Sequence, residues 1–127
     1  ARLVAVAGDT HNAWAAELRD RAGNPVGIEF ATPSVSSPGL ESILGADAAA
    51  AFEDALPQFI DELAYTNLRD RGYLQVSFSA DAVEASWRFV SGVDSHDYGL
   101  QEDRARDIRV AADELTLAPA TRRPSPA

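Results

Sequence analysis

The sequence predicts an α+β fold, made mostly of strands and hairpins with one or two short helices in the middle. Three observations predict it: an apolar run at residues 2–7, two alternating stretches at 73–79 and 82–90 separated by a turn, and a helix-type pattern beginning near residue 45. At 127 residues the length is that of a single domain.

"RLVAVA" (residues 2–7) is short, continuously apolar and bounded by Gly8-Asp9, which predicts a strand buried on both faces and central to a sheet. The next stretch is ambiguous. "AWAAELRDR" contains good helix formers and leans to helix, yet "AGNP" is a turn signal and "VGIEFA" alternates. The competing assignment is a hairpin across Gly23-Asn24 with Trp14, Ala16 and Leu18 on one face. "TPSVSSPGLES" (32–42) reads as a Pro/Ser/Gly loop. "GADAAAAFEDALPQFIDELAYTN" (45–67) reads as helix, with Asp47 as N-cap and Pro57 dividing two short helices.

The period then changes. "YLQVSFS" puts Leu74, Val76 and Phe78 on one face, and "AVEASWRFV" does the same for Val83, Ala85, Trp87 and Phe89, so this is the clearest hairpin in the chain. "SGVDSHDYGLQEDRARD" reads as polar loop, and "IRVAADELTL" as a last hairpin or edge strand. There is no internal repeat. Residues 1–118 form the structured part and 119–127, rich in proline, a loose tail.

Composition excludes several functions. The net charge is −9, lysine is absent, and the eleven arginines are scattered or sit beside acids, so no nucleic-acid-binding surface is evident. Without cysteine, any metal must be held by oxygen and nitrogen ligands. No apolar run approaches the roughly eighteen residues of a transmembrane segment. The acidity suits calcium. An Ala-Arg start before a buried strand, in a chain without methionine, reads as a piece of a longer polypeptide.

The candidate residues for chemistry follow the first strand, the alternative there being a turn with a surface histidine. A bland turn would use Gly8, Asp9 and Asn12 and would have no need of His11. In an extended segment Asp9 and His11 point to one side, and the carboxyl ends of strands are where open α/β sheets place ligands. Asp9 offers a carboxylate for hard cations and His11 an imidazole nitrogen for iron or zinc. Elsewhere the bland readings are preferred. His96, between Asp94 and Asp97, sits in an ordinary solvated loop; Trp14, Tyr73, Trp87 and Phe89 belong to the core; Ser36 and Ser37 have no visible base to activate them.

Taken in order, "VAVAGDTHNAWAAEL", "GNPVGIEFATPSVSSPGL" and "NLRDRGYLQVSFSADAVEASWRFV" resemble the C-terminal part of the alkaline phosphatase D family of phosphodiesterases and phosphatases, over about residues 3–93. That family belongs to the calcineurin-like metallophosphatases, whose final ligand motif is Gly-His-x-His; Gly8-Asp9-Thr10-His11 corresponds to it here. The resemblance implies a four-layer αββα sandwich with a metal centre of iron and calcium between its sheets, Asp9 and His11 as metal ligands, and Asn12 orienting phosphate. It implies that "AWAAEL" is a strand in a hairpin with "VGIEFA", against its helix propensity. It further implies hydrolysis of a phosphate ester, completion of the site by the upstream part of the same polypeptide, and export to the periplasm or medium by the twin-arginine route. An Asn-Pro-His lead-in expected before Tyr65–Leu68 is missing, with Asp61-Glu62 standing there instead. A reading of a different class is an autonomous acidic α+β interaction domain in which "GDTH" is only a turn.

Overall fold

A computed structural model describes residues 3–114 and 116–122 of the chain. Eight strands and two helices run in the order β1 (Leu3–Ala7), β2 (Ala13–Arg19), β3 (Pro25–Ala31), α1 (Glu41–Leu44), α2 (Ala46–Phe59), β4 (Leu63–Asn67), β5 (Arg71–Phe78), β6 (Ala82–Val90), β7 (Arg106–Ala111) and β8 (Thr121–Arg122). They form two four-stranded sheets, ordered β1-β3-β2-β4 and β5-β6-β7-β8. The expected α+β class and sandwich core are observed.

In the first sheet β1 runs parallel to β3, while β2 is antiparallel to both β3 and β4. Hence β1, β3 and β4 point the same way, and the loops that follow them gather at one end. The β2–β3 turn is shaped by Asp20, whose carboxylate accepts the Ala22 and Asn24 backbone N–H groups at 2.8 and 2.9 Å. Those bonds, with the Asn24 amide on the second oxygen, hold the Asp20 pKa below its usual value. Gly23 sits there at φ 85°, a conformation costly for other residues.

The second sheet is antiparallel throughout, with Leu74 opposite Trp87, Val76 opposite Ala85 and Phe78 opposite Val83, the register that alternation predicts. Its outer face is polar: Arg88 pairs with Asp107 at 2.9 Å and Arg109 with Glu84 at 3.2 Å. Its inner face meets the first sheet in one core of Ala13, Ala15, Ile28, Phe30, Val83, Ala85, Trp87, Phe89, Ile108 and Val110. Trp87 lies at the centre. Its indole packs edge-on against Phe30 at 5.8 Å and tilted against Tyr65 at 4.9 Å, and its Nε1–H donates to the Ala31 carbonyl at 2.8 Å.

Several expectations are corrected. The first strand is not central: β1 is paired only with β3 among the described residues, and Leu3 and Val6 are 53% and 58% exposed. The helix-leaning "AWAAELR" is strand β2, as the family resemblance implies, because its small core-facing Ala13 and Ala15 leave room for Phe30 and Trp87. Residues 63–67 are strand β4 rather than helix, since the free edge of β2 pairs with them and Tyr65 joins the core. Asp47 lies in the first turn of α2 instead of capping it; Gly45, at φ 83°, makes the junction with α1. Pro57 sits inside the last turn of α2 and divides nothing, the helix ending two residues later. Residues 41–44, read as loop, form the single turn α1. β7 does form a last short hairpin with β8, which reaches only Arg106 and Asp107, so residues 109–111 pair with β6 alone among the described residues. Within the expected loose tail Thr121 and Arg122 pair with β7, and residues 123–127 lie outside the described residues. Of the four aromatics expected in the core, Trp87 and Phe89 are there, whereas Tyr73 is exposed and Trp14 is half-buried outside it.

Two outcomes test this packing. Trp87→Ala should cost about 3–5 kcal/mol of stability by emptying the centre of the core, read from the denaturant midpoint. Tyr65 has a buried hydroxyl without a partner, and burial raises its pKa well above the ordinary value near 10. A folded-state pKa above the unfolded one leaves stability intact below about pH 10 and removes it as pH rises further, because the unfolded phenol ionises first. A pH series of unfolding midpoints should therefore fall less steeply above pH 10 in Tyr65→Phe than in the parent protein.

Candidate functional site

The site is built from three loops at the end of the sandwich toward which β1, β3 and β4 point. After Ala7 the chain turns at once: the His11 N–H meets the Gly8 carbonyl at 3.4 Å, with Asp9 and Thr10 at the corner. Asp9 and His11 thus sit on a turn, not along the extended segment that sequence spacing suggests. His11 adopts φ 60° and is alone among the described non-glycine residues in having positive φ. Such strain persists only where neighbours over-determine it.

Those neighbours come from the loop after β3. The His11 carbonyl accepts the Ser34 N–H at 3.4 Å, and His11 Nδ1 lies 2.8 Å from the Pro38 carbonyl oxygen. A carbonyl can only accept, so Nδ1 carries a proton, and in the neutral ring that leaves the lone pair on Nε2. This is how metal-binding imidazoles are oriented: one nitrogen fixed by a backbone acceptor, the other free to ligate. Asp9 is exposed beside it. Oxygen from a carboxylate and nitrogen from a neutral imidazole fit iron with calcium as a donor set. Among the described residues no group of three or more His, Cys, Asp or Glu side chains could hold a metal ion.

Asn12 is buried and both ends of its side chain are engaged, Nδ2 donating to the Thr10 carbonyl at 2.7 Å and Oδ1 accepting the Leu40 N–H at 3.3 Å. It braces the two loops against each other. Gly39 has no room for a side chain: a Cβ there would lie 2.8 Å from Asn12 Oδ1 and 3.1 Å from an Arg71 nitrogen. Arg71 is the residue that spacing did not single out. Its guanidinium is buried and pairs with Glu41, and burial lowers its pKa from the ordinary value. Glu41 Oε1 also accepts the Gly39 N–H at 3.2 Å, while its Oε2 is buried without a partner. The Gly72 N–H donates to the Ser34 carbonyl at 3.0 Å, joining β5 to the same loop.

The third loop, 68–70, is held by charge. Arg104 reaches Asp70 at 2.6 Å and Glu53 at 3.2 Å, and Arg69 binds Glu53 at 2.5 Å. Burial lowers the Arg104 pKa, but the hydrogen bonds and charges of Asp70 and Glu53 outweigh it and raise the pKa. Asn67 completes the turn by accepting the Arg69 and Asp70 N–H groups at 3.1 and 3.0 Å. The side chains of His96, Ser36 and Ser37 make no bond to the His11 turn, although the Ser37 carbonyl accepts the Ser34 hydroxyl; His96 lies in the exposed loop between β6 and β7.

"GDTHN", "PSVSSPG" and "RGY", distant in sequence, thus form one hydrogen-bonded body. A family model described as PhoD-like phosphatase matches residues 1–87. A solved structure titled "Structure of PhoD" superposes with a TM-score of 0.66 over 95% of this chain, at 15% sequence identity. At that identity the likeness shows a shared fold. No curated protein matches the chain. The family match defines the class, a member of a phosphatase family, and the sandwich is the fold shared with the solved relative. In particular, the chain belongs to the PhoD-like phosphatase family. It covers 22% of the solved relative's length.

The Arg71–Glu41 pair gives a test of how the loops are held. Arg71→Ala should cost about 3 kcal/mol, mostly because it strands the Glu41 carboxylate, and Arg71→Met with Glu41→Leu should recover most of that loss in unfolding experiments.

Proposed function

We propose that this chain is one part of a metal-dependent phosphoric ester hydrolase, of phosphodiesterase or alkaline phosphatase type, and that it is inactive alone. The observation that carries the proposal is the His11 imidazole, pinned through Nδ1 to the Pro38 carbonyl so that Nε2 is presented as a ligand. Asp9 is the second donor. When bound, iron and calcium would activate water for attack at phosphorus and neutralise charge on the phosphoryl oxygens.

This chain's contribution is positioning. The turn Gly8–His11 fixes the two donors, Asn12 ties that turn to Leu40, and the Arg71–Glu41 pair backs Gly39 from below. Asn12 in this reading holds the turn and reaches phosphate only through it. The remaining metal donors come from the upstream part of the same polypeptide. That reading is supported by the 22% coverage of the solved relative, and by β1, which among the described residues is paired only with β3 and leaves Leu3 and Val6 exposed. Export to the periplasm or medium is part of the same proposal; among the described residues no helix is long and apolar enough to cross a membrane.

The test is hydrolysis of a chromogenic phosphodiester by the complete polypeptide, with bound metal measured alongside. Asp9→Asn and His11→Ala should each lower metal content and reduce turnover on the order of 100-fold, with circular dichroism unchanged. Full activity and metal content in both variants would reduce "GDTHN" to a turn and leave the interaction-domain reading in its place.

A further inference from the structure

A groove of about 560 Å³ lies beside the three-loop body, between the loop after β3, the start of β5 and the loop that joins β6 to β7. Its size is that of a small-molecule site. Val35, Tyr73, Val93, Tyr98 and Leu100 line it, and all five are exposed, Val35 by 71% and Tyr98 by 60%. Isolated exposed apolar side chains need no explanation; five around one concavity do. Ser36, Asp94, Ser95 and His96 also line the groove, no arginine does, and the five exposed apolar side chains around it suit it to an uncharged apolar group.

Its wall is continuous with the turn that carries Asp9 and His11. Ser34 donates its N–H to the His11 carbonyl and Pro38 holds His11 Nδ1, while Val35 and Ser36, between them, face the groove. Gly72, bonded to the Ser34 carbonyl at 3.0 Å, lines it as well. The opposite wall is closed on itself. The Ser91 N–H donates to the Gly99 carbonyl at 3.0 Å, the Gly99 N–H to Ser91 Oγ at 3.1 Å, and the Gln101 amide to the Val90 carbonyl at 2.6 Å. These bonds preform the wall before any ligand arrives.

We propose that this groove seats the organic half, aryl or alkyl, of a phosphate ester whose phosphate lies at the Asp9–His11 turn. The inference rests on the hydrolase reading above and adds the class of ester: one with an uncharged apolar alcohol. Val35, Tyr73 and Tyr98 then determine specificity, and none of them takes part in the reaction.

The experiment uses the complete metal-loaded polypeptide with dimethyl phosphate and methyl benzyl phosphate, product being followed by phosphorus NMR. It also uses benzylphosphonate and methylphosphonate, which are not hydrolysed, in calorimetric titrations. The parent protein should prefer the benzyl compound about tenfold in kcat/KM and in affinity, as burial of a phenyl ring implies. In Tyr98→Ala and in Val35→Ser the preference should fall to near unity, mainly through a higher KM for the benzyl ester. Both positions are exposed, so a fold defect in one is checked against the other. No benzyl preference in the parent protein, or a preference that survives both variants, would overturn the proposal. If neither ester is hydrolysed, the hydrolase reading fails, while the phosphonate titrations still decide the groove.

Discussion

The contact on which the rest of the structure depends is the one Trp87 makes across the sandwich. Its indole fills the centre of the core and its Nε1–H ends on the Ala31 carbonyl, the last residue of β3. A buried indole N–H without an acceptor is costly, so this bond fixes one sheet against the other at the position where the loop carrying Pro33–Leu40 departs. A shift of the sheets would move that loop, and with it the Pro38 carbonyl that orients His11.

The two sheets are finished differently. The second presents paired charges outward, the exposed Arg109–Glu84 and the Arg88–Asp107 pair, whose arginine is buried. The first places Trp14, Ala16 and Leu18 outward, with Trp14 Nε1 donating to Glu29 at 2.7 Å, and leaves the edge of β1 open. The loops at the site end are rigid by contrast. They contain a left-handed histidine, an asparagine with both amide ends engaged, a glycine with no space for a side chain and a buried arginine–glutamate pair.

Much of this was legible in the chain. The β5–β6 hairpin follows from strict alternation, down to the pairing of Leu74 with Trp87. Asp9 and His11 stood out because a histidine has no purpose in an ordinary turn. Arg71 and Glu41 did not, since each sits in a charged stretch that reads as solvent-facing, and only the contact between positions thirty residues apart gives either a role. The loop 91–100 gave no signal for the same reason: its polar composition is that of a surface loop, and its apolar Val93, Tyr98 and Leu100 acquire meaning only opposite Val35 and Tyr73.

By itself the sequence determined local periodicity, turn chemistry and the presence of a metal-type residue pair after the first strand, because those depend on neighbours within a few positions. Tertiary structure decided that "AWAAELR" and "LAYTN" are strands, for pairing with a neighbouring strand and burial against Trp87 outweigh a local helix preference of a few tenths of a kcal/mol per residue. It also decided which nitrogen of His11 is free, a matter of one carbonyl twenty-seven residues away.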